Sequence, residues 1–121
     1  MLATGIRDAG GQSAQQKREA GYQARLQSYS DILKPEMTRK NVEDYLRTKG
    51  VAFTRLCCID ERSAYADLVK IGTEKHPWYC EAHNVYIAFQ FAAADPHKVV
   101  EAYDSDTLKR ITIFHHLDGC L

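Results

Sequence analysis

The sequence predicts an α+β fold, with an N-terminal helix hairpin packed on one face of a four-stranded antiparallel sheet. Three observations carry this. Tyr22, Leu26, Tyr29 and Leu33 recur at spacings of four, three and four, which places them on one stripe of a helix. Thr38 stands before a second short segment in which Val42, Tyr45 and Leu46 share an edge. Beyond Gly50, four segments rich in β-branched and aromatic residues are separated by polar or glycine-containing breaks.

Taken in order, residues 1–12 are small and polar with three glycines and read as a flexible arm, and residues 13–121 as a single α+β domain. The first helix runs from about Ser13, is weakened by Gly21, and ends before Pro35, which disfavours helical geometry at Lys34. The Thr38 hydroxyl can accept a bond from an orphan N–H of the next helix, and Gly50 is placed to take the left-handed conformation that stops it. Strands are expected over Val51–Ile59, Tyr65–Gly72, Tyr79–Phe91 and Leu108–His116, with Val99–Tyr103 extending the pairing inside the long last connection. In the third strand Val85, Ile87, Phe89 and Phe91 alternate with Tyr86, Ala88 and Gln90. In the fourth, Ile111 and Ile113 alternate with Arg110, Thr112 and Phe114. The apolar face should receive the helix stripe, leaving Tyr86, Gln90, Arg110, Thr112 and Phe114 on a face open to water or a partner.

A chain of 121 residues leaves no room for a second core. Sixteen basic and sixteen acidic side chains cancel, which removes the positive field that nucleic-acid binding needs. No apolar run approaches the ~20 residues of a membrane-spanning helix, so no membrane insertion is expected.

Cys57, Cys58, Cys80 and Cys120 are an even set in a small domain, which suits disulfides and an oxidising compartment. A trans peptide holds neighbouring Cα atoms about 3.8 Å apart, shorter than the usual ~4.4–6.8 Å across a disulfide. One of the neighbouring pair is therefore expected to bond Cys80 and the other Cys120, in either arrangement. The start, MLATGIRDAGGQ, shows no charged segment followed by an apolar stretch. Together with the disulfides this gives the expectation of a periplasmic or secreted chain whose signal has been removed.

The sharpest catalytic or metal alternative sets Cys80-x2-His83 against His116-x3-Cys120, which lie at one edge of an antiparallel pair. That scheme leaves Cys57 and Cys58 unexplained, so no metal and no cofactor are expected. His115 and His116 point to opposite faces of a strand. His115 reads as a partly buried, hydrogen-bonded histidine, and His76 and His97 as solvated loop residues. Asp60 and Glu61 read as turn residues, and no nucleophile elbow, phosphate loop or CxxC pair occurs. The expectation is a non-enzyme. Trp78 and Tyr79, with Tyr86 and Phe114 beside Arg110, form a candidate recognition surface, since aromatics carry large contact area at small entropic cost.

The run Pro35-Glu36-Met37-Thr38-Arg39-Lys40-Asn41-Val42 resembles the turn and helix start of the BamE (SmpA/OmlA) lipoproteins and the β-lactamase-inhibitor proteins, where Gly-Met-Thr-Arg-x-x-Val introduces the second helix. The later run Trp78-Tyr79-Cys80 to Phe91 is similar to the inhibitor's cysteine and aromatic strand. Glu36 stands where those families have glycine, no lipid-anchoring cysteine precedes Cys57, and there is one α/β unit where the inhibitor has two. The resemblance implies a helix hairpin on a four-stranded sheet in an exported protein that binds other proteins. The functional expectation is a non-catalytic protein-binding module of the bacterial cell envelope, in a larger assembly. The alternatives are an inhibitor or immunity protein that blocks a secreted enzyme, and a small zinc-binding or redox protein.

Overall fold

A computed structural model describes residues 13–59 and 64–121. The arm expected over 1–12 and the turn expected at Asp60 and Glu61 lie outside the described residues. Helix α1 spans Ala14–Ser30 and opens with a reciprocal cap. The Gln16 N–H donates to Ser13 Oγ at 3.1 Å, and the Ser13 N–H donates back to Gln16 Oε1 at 2.8 Å, so two orphan donors are satisfied together. The helix stops earlier than Pro35 alone requires. The Ile32 and Leu33 N–H groups both fold back on the Tyr29 carbonyl, and Leu33 reaches the core from this turn, 2% exposed.

Helix α2 spans Arg39–Thr48 and begins as expected, with the Asn41 N–H donating to Thr38 Oγ1 at 3.2 Å. The two donors ahead of Asn41 go to a distant loop. Arg39 N–H reaches the Asp106 carbonyl at 2.7 Å and Lys40 N–H the Asp104 carbonyl at 3.1 Å, which accounts for the first-turn N–H groups. Gly50 takes φ +70° after the helix. Between the helices, Glu36 adopts φ +78°. Its N–H donates to the Leu108 carbonyl at 2.8 Å, and the Leu108 N–H donates to Met37 O at 2.7 Å, so the turn is tied to the sheet edge in a conformation that suits glycine.

Strands β1 (Thr54–Leu56), β2 (Ala66–Glu74), β3 (Ala82–Ala92) and β4 (Thr107–Asp118) form one antiparallel sheet in the order β1-β2-β3-β4. The first is three residues long instead of nine, because Val51 and Phe53 turn toward the core and leave the ladder. Val99–Tyr103 adds no strand. Val99 is exposed, and the Tyr103 N–H is drawn to the Asp106 carboxylate at 3.0 Å. The helix residues Tyr29, Leu33, Val42 and Leu46 share one core with Val69, Ile87, Phe89, Phe91 and Leu108, and Tyr29 meets Phe89 edge-on at 5.4 Å. Higher on the same face, Gly72 lets the Tyr22 ring lie against β2, where a Cβ would come within 2.9 Å of it.

The same side of the sheet buries charge. Arg39 is 0% exposed, and its guanidinium donates to Asp67 Oδ1 at 2.9 Å, to Asp106 Oδ2 through two nitrogens at 3.0 and 3.2 Å, and to the carbonyls of Tyr65 and Tyr103. Glu43 takes Arg55 in a forked pair at 2.7–3.2 Å and Arg47 at 3.2 Å. Asp67 Oδ2 receives no N–H or O–H donor. Burial, followed by the hydrogen bond shared with Glu43, pushes the Asp67 carboxyl up to about 8, while Glu43 is held below its usual range despite burial, by its bonds to Asp67 and Arg55. A proton on Asp67 turns its orphan oxygen into a donor toward Glu43. The charges of Arg39 and Arg55 then balance those of Glu43 and Asp106.

The cysteine expectation needs correction. Cys80 bonds Cys120 and Cys57 bonds Cys58, across a cis peptide rather than the trans one on which the expectation rested. Sheet order explains why crossed pairing fails. Leu56 lies opposite Ala66 at the start of β2, whereas Ala82 lies opposite Asp118, level with the far end of β2. The two cysteine pairs thus sit at opposite ends of the sheet, separated by roughly 25 Å at ~3.3 Å per residue.

Two predictions follow from the backbone and the buried charge. Replacing Glu36→Gly should stabilise the protein by about 0.5–1 kcal/mol in urea unfolding, by relieving the left-handed conformation. For Asp67 the folded pKa is raised from an unfolded value of ~3.9, so its contribution is complete below that value and is lost as pH rises through about 8. Thermal stability should therefore fall between mildly acidic and alkaline pH. Asp67→Asn, which keeps an acceptor for Arg39 and a donor for Glu43, should flatten that decline.

Candidate interaction surface

Strand register brings five of the seven predicted contact residues onto the sheet face opposite the helices. Tyr86 pairs with Phe114, Ala88 with Thr112 and Gln90 with Arg110, and the Tyr86 and Phe114 rings lie 6.4 Å apart. This face is less open than the alternation implies. Ala66, Leu68 and Ala88 are buried on it, with Leu56, Ile59, Tyr86 and Phe114 packed against them as a second apolar cluster. Gln90 is 7% exposed. It donates to Thr112 Oγ1 at 2.9 Å and accepts from Arg110 at 3.2 Å, so its polar atoms serve the sheet. The expectation of a wholly solvent-open face is corrected accordingly. Arg110 is exposed, while Tyr86, Thr112 and Phe114 are half-buried.

Toward one end the face becomes polar. His116 Nδ1 lies 2.7 Å from Asp118 Oδ1, the Asn84 amide donates to the other carboxylate oxygen, and the Phe114 ring stands 5.7 Å from that of His116. The Asn84 amide, and then His116, hold the Asp118 carboxyl below the usual carboxylate range. Sequence reasoning weighed His116 only as a metal ligand and missed Asn84 and Asp118, although positions 84, 116 and 118 continue the alternation of Tyr86 and Phe114.

The remaining two, Trp78 and Tyr79, sit beyond that end in the β2–β3 connection. Trp78 is 86% exposed and meets Tyr79 edge-on at 5.7 Å. The loop that carries them is clamped. Cys80, itself buried, bonds Cys120, and its N–H closes a turn on the Pro77 carbonyl at 3.0 Å. Glu81 N–H reaches the Asp118 carbonyl at 2.9 Å, and Leu121 N–H the Tyr79 carbonyl at 2.8 Å. Leu121 and Leu117 are exposed at this end as well. The result is a fixed apolar protrusion, and the informative feature is that large apolar side chains stay in water while their backbone is held in place.

On the helix side of this end, Tyr22 donates to Glu74 and Arg18 pairs with the same carboxylate at 3.1 Å. Burial and then the Glu74 bond push Tyr22 up to about 12. Glu74 in turn is held low, first by Tyr22 and then by Arg18. Beside them His83 Nε2 and His115 Nδ1 stand 2.8 Å apart. His115 is exposed, where partial burial was expected. His115 and His116 do take opposite faces. Among the described residues no three His, Cys, Asp or Glu converge as a metal cage, and the sulfurs of Cys80 and Cys120 are bonded to each other, so the two-cysteine, two-histidine set does not assemble. A pocket of about 210 Å³ between the end of α1 and β4, lined by Leu33, Lys34, Leu108 and Arg110 among others, is smaller than the ~300 Å³ at which small-molecule sites begin.

With four cysteines in two disulfides, the chemistry fits an extracellular or otherwise oxidising compartment. No helix among the described residues is long and apolar enough to cross a membrane. No family model, curated protein or solved structure matches the chain.

Proposed function

We propose that this chain is a non-catalytic protein-binding module of the bacterial cell envelope, docking through the Trp78–Tyr79 protrusion and continuing onto the Tyr86, Phe114 and His116 edge of the sheet. One observation carries the reading: Trp78 is 86% exposed on a loop clamped by the Cys80–Cys120 bond. A rigid aromatic anchor loses little entropy on docking and fills a partner's pocket with large area, which is how hot spots work. The disulfides support a periplasmic or secreted setting. A BamE-like relationship belongs to the same proposal and rests on Met37-Thr38-Arg39 and Val42. The protrusion equally suits an inhibitor that inserts a loop into an enzyme cleft, and the identity of the captured partner separates the two.

The test is co-purification from a periplasmic extract, comparing the native protein with Trp78→Ala/Tyr79→Ala. Because both side chains lie in solvent, the variant should melt within a few degrees of the native protein. Its partner affinity should drop about thirtyfold or more, as a hot-spot loss of ≥2 kcal/mol requires. Undiminished capture by a folded variant contradicts the docking site.

A further inference from the structure

We propose that His83 and His115 form a binding site for a divalent transition-metal cation that favours tetragonal geometry, copper(II) ahead of nickel(II) and zinc(II). The pair lies diagonally across β3 and β4, since His83 is level with Leu117 and His115 with Val85, and both side chains stand on the helix-side face. Their nearest ring nitrogens are 2.8 Å apart. That separation is a hydrogen bond between the two rings in the metal-free protein, and it shows that the cross-strand placement lets both imidazoles reach one ion. Imidazole ligands with water in the remaining positions rank copper(II) above nickel(II) and zinc(II).

The tautomers are set by the surroundings. His83 Nδ1 faces the Lys75 carbonyl at 3.2 Å, and a carbonyl only accepts, so Nδ1 carries the proton and Nε2 presents a bare lone pair. A metal-ligating histidine is oriented by this same kind of backbone contact. It follows that His115 Nδ1 donates to His83 Nε2. When a cation arrives, the proton on His115 Nδ1 leaves to water and one is taken up at His115 Nε2, so both facing nitrogens become free with no net proton change. A small turn of the exposed His115 ring then aims both lone pairs at the cation.

Neighbouring groups favour the site. The Tyr22 and His115 rings stand nearly perpendicular with centroids 6.4 Å apart, so the site has an apolar wall on the helix side. Glu74, held ionised by Tyr22 and Arg18, lies directly across from His83 in the strand register and sets a negative charge beside the site. Arg18 partly offsets that carboxylate from a more exposed position. With two protein ligands and water in the other positions, the affinity should be micromolar rather than that of a closed structural site. The proposal is independent of the docking surface, which lies on the hairpin loop and the opposite face.

The experiment titrates tag-free, oxidised protein with copper(II) against glycine as a competing chelator. It is followed by electron paramagnetic resonance and by broadening of histidine ring protons in nuclear magnetic resonance spectra. One equivalent should bind with coupling to two imidazole nitrogens, and the His83 and His115 signals should broaden first. His83→Ala and His115→Ala should each weaken binding at least tenfold, while His116→Ala and His97→Ala leave it unchanged. Circular dichroism checks that each variant is folded. Binding that survives both substitutions, broadening centred on other residues, or no binding stronger than glycine's would overturn the proposal.

Discussion

Arg39 has no contact with water, yet it carries a full charge and five N–H donors that all need partners. Two separate parts of the chain supply them to Nε, Nη1 and Nη2: the stretch entering β2, through the Tyr65 carbonyl and Asp67, and the Tyr103–Asp106 loop before β4. The guanidinium also lies 4.1 Å over the Phe91 ring, so its flat face is covered while its edge is bonded. Because Arg39 is the first residue of α2, and the α2 N-terminus is tied to Asp104 and Asp106, the helix cannot shift against the sheet without stripping partners from a buried charge. A buried pair of this kind adds little compared with a well-packed apolar core. Removing one partner is severe, because the others are left uncompensated.

That lock shapes what the molecule offers to its surroundings. The helices and the main core occupy one face of the sheet, and the second apolar cluster uses much of the other, so the interior consumes most of the apolar residues. What remains in water at the Cys80–Cys120 end is Trp78, Tyr79, Leu117 and Leu121. Charge at this end is organised in local pairs, Asp118 with Asn84 and His116 on one face and Glu74 with Tyr22 and Arg18 on the other, each pinning a strand end. The apolar protrusion is therefore presented on a framed edge and not on a loose loop.

Much of the frame was legible in the sequence, because it rests on local signals. The stripe of α1, the Thr38 cap, the Gly50 stop and the alternation in β3 and β4 all involve residues within a few positions of one another. The charged lock was not legible, since Arg39 lies 28 residues from Asp67 and 67 from Asp106, and an arginine in a polar helix reads as solvated. The disulfide pairing depends on which end of the sheet each cysteine reaches, which follows from strand order and cannot be had from spacing. The far face misled for a related reason. Alternation tells which residues share a side, but not that Leu56 and Ile59 lie over it. Tyr79 looked like the start of a strand by composition, and the connection between Glu74 and Ala82 removed it from the sheet.

The most direct measurement is the unfolding free energy of Arg39→Met in urea, with both disulfides intact. Methionine fills similar space but leaves Asp106 and the Asp67–Glu43 pair without their shared cation, so a loss of about 3–5 kcal/mol is expected. A loss below about 1 kcal/mol would mean that the helices are held on the sheet by apolar packing alone, and that Arg39 is a passenger in the fold.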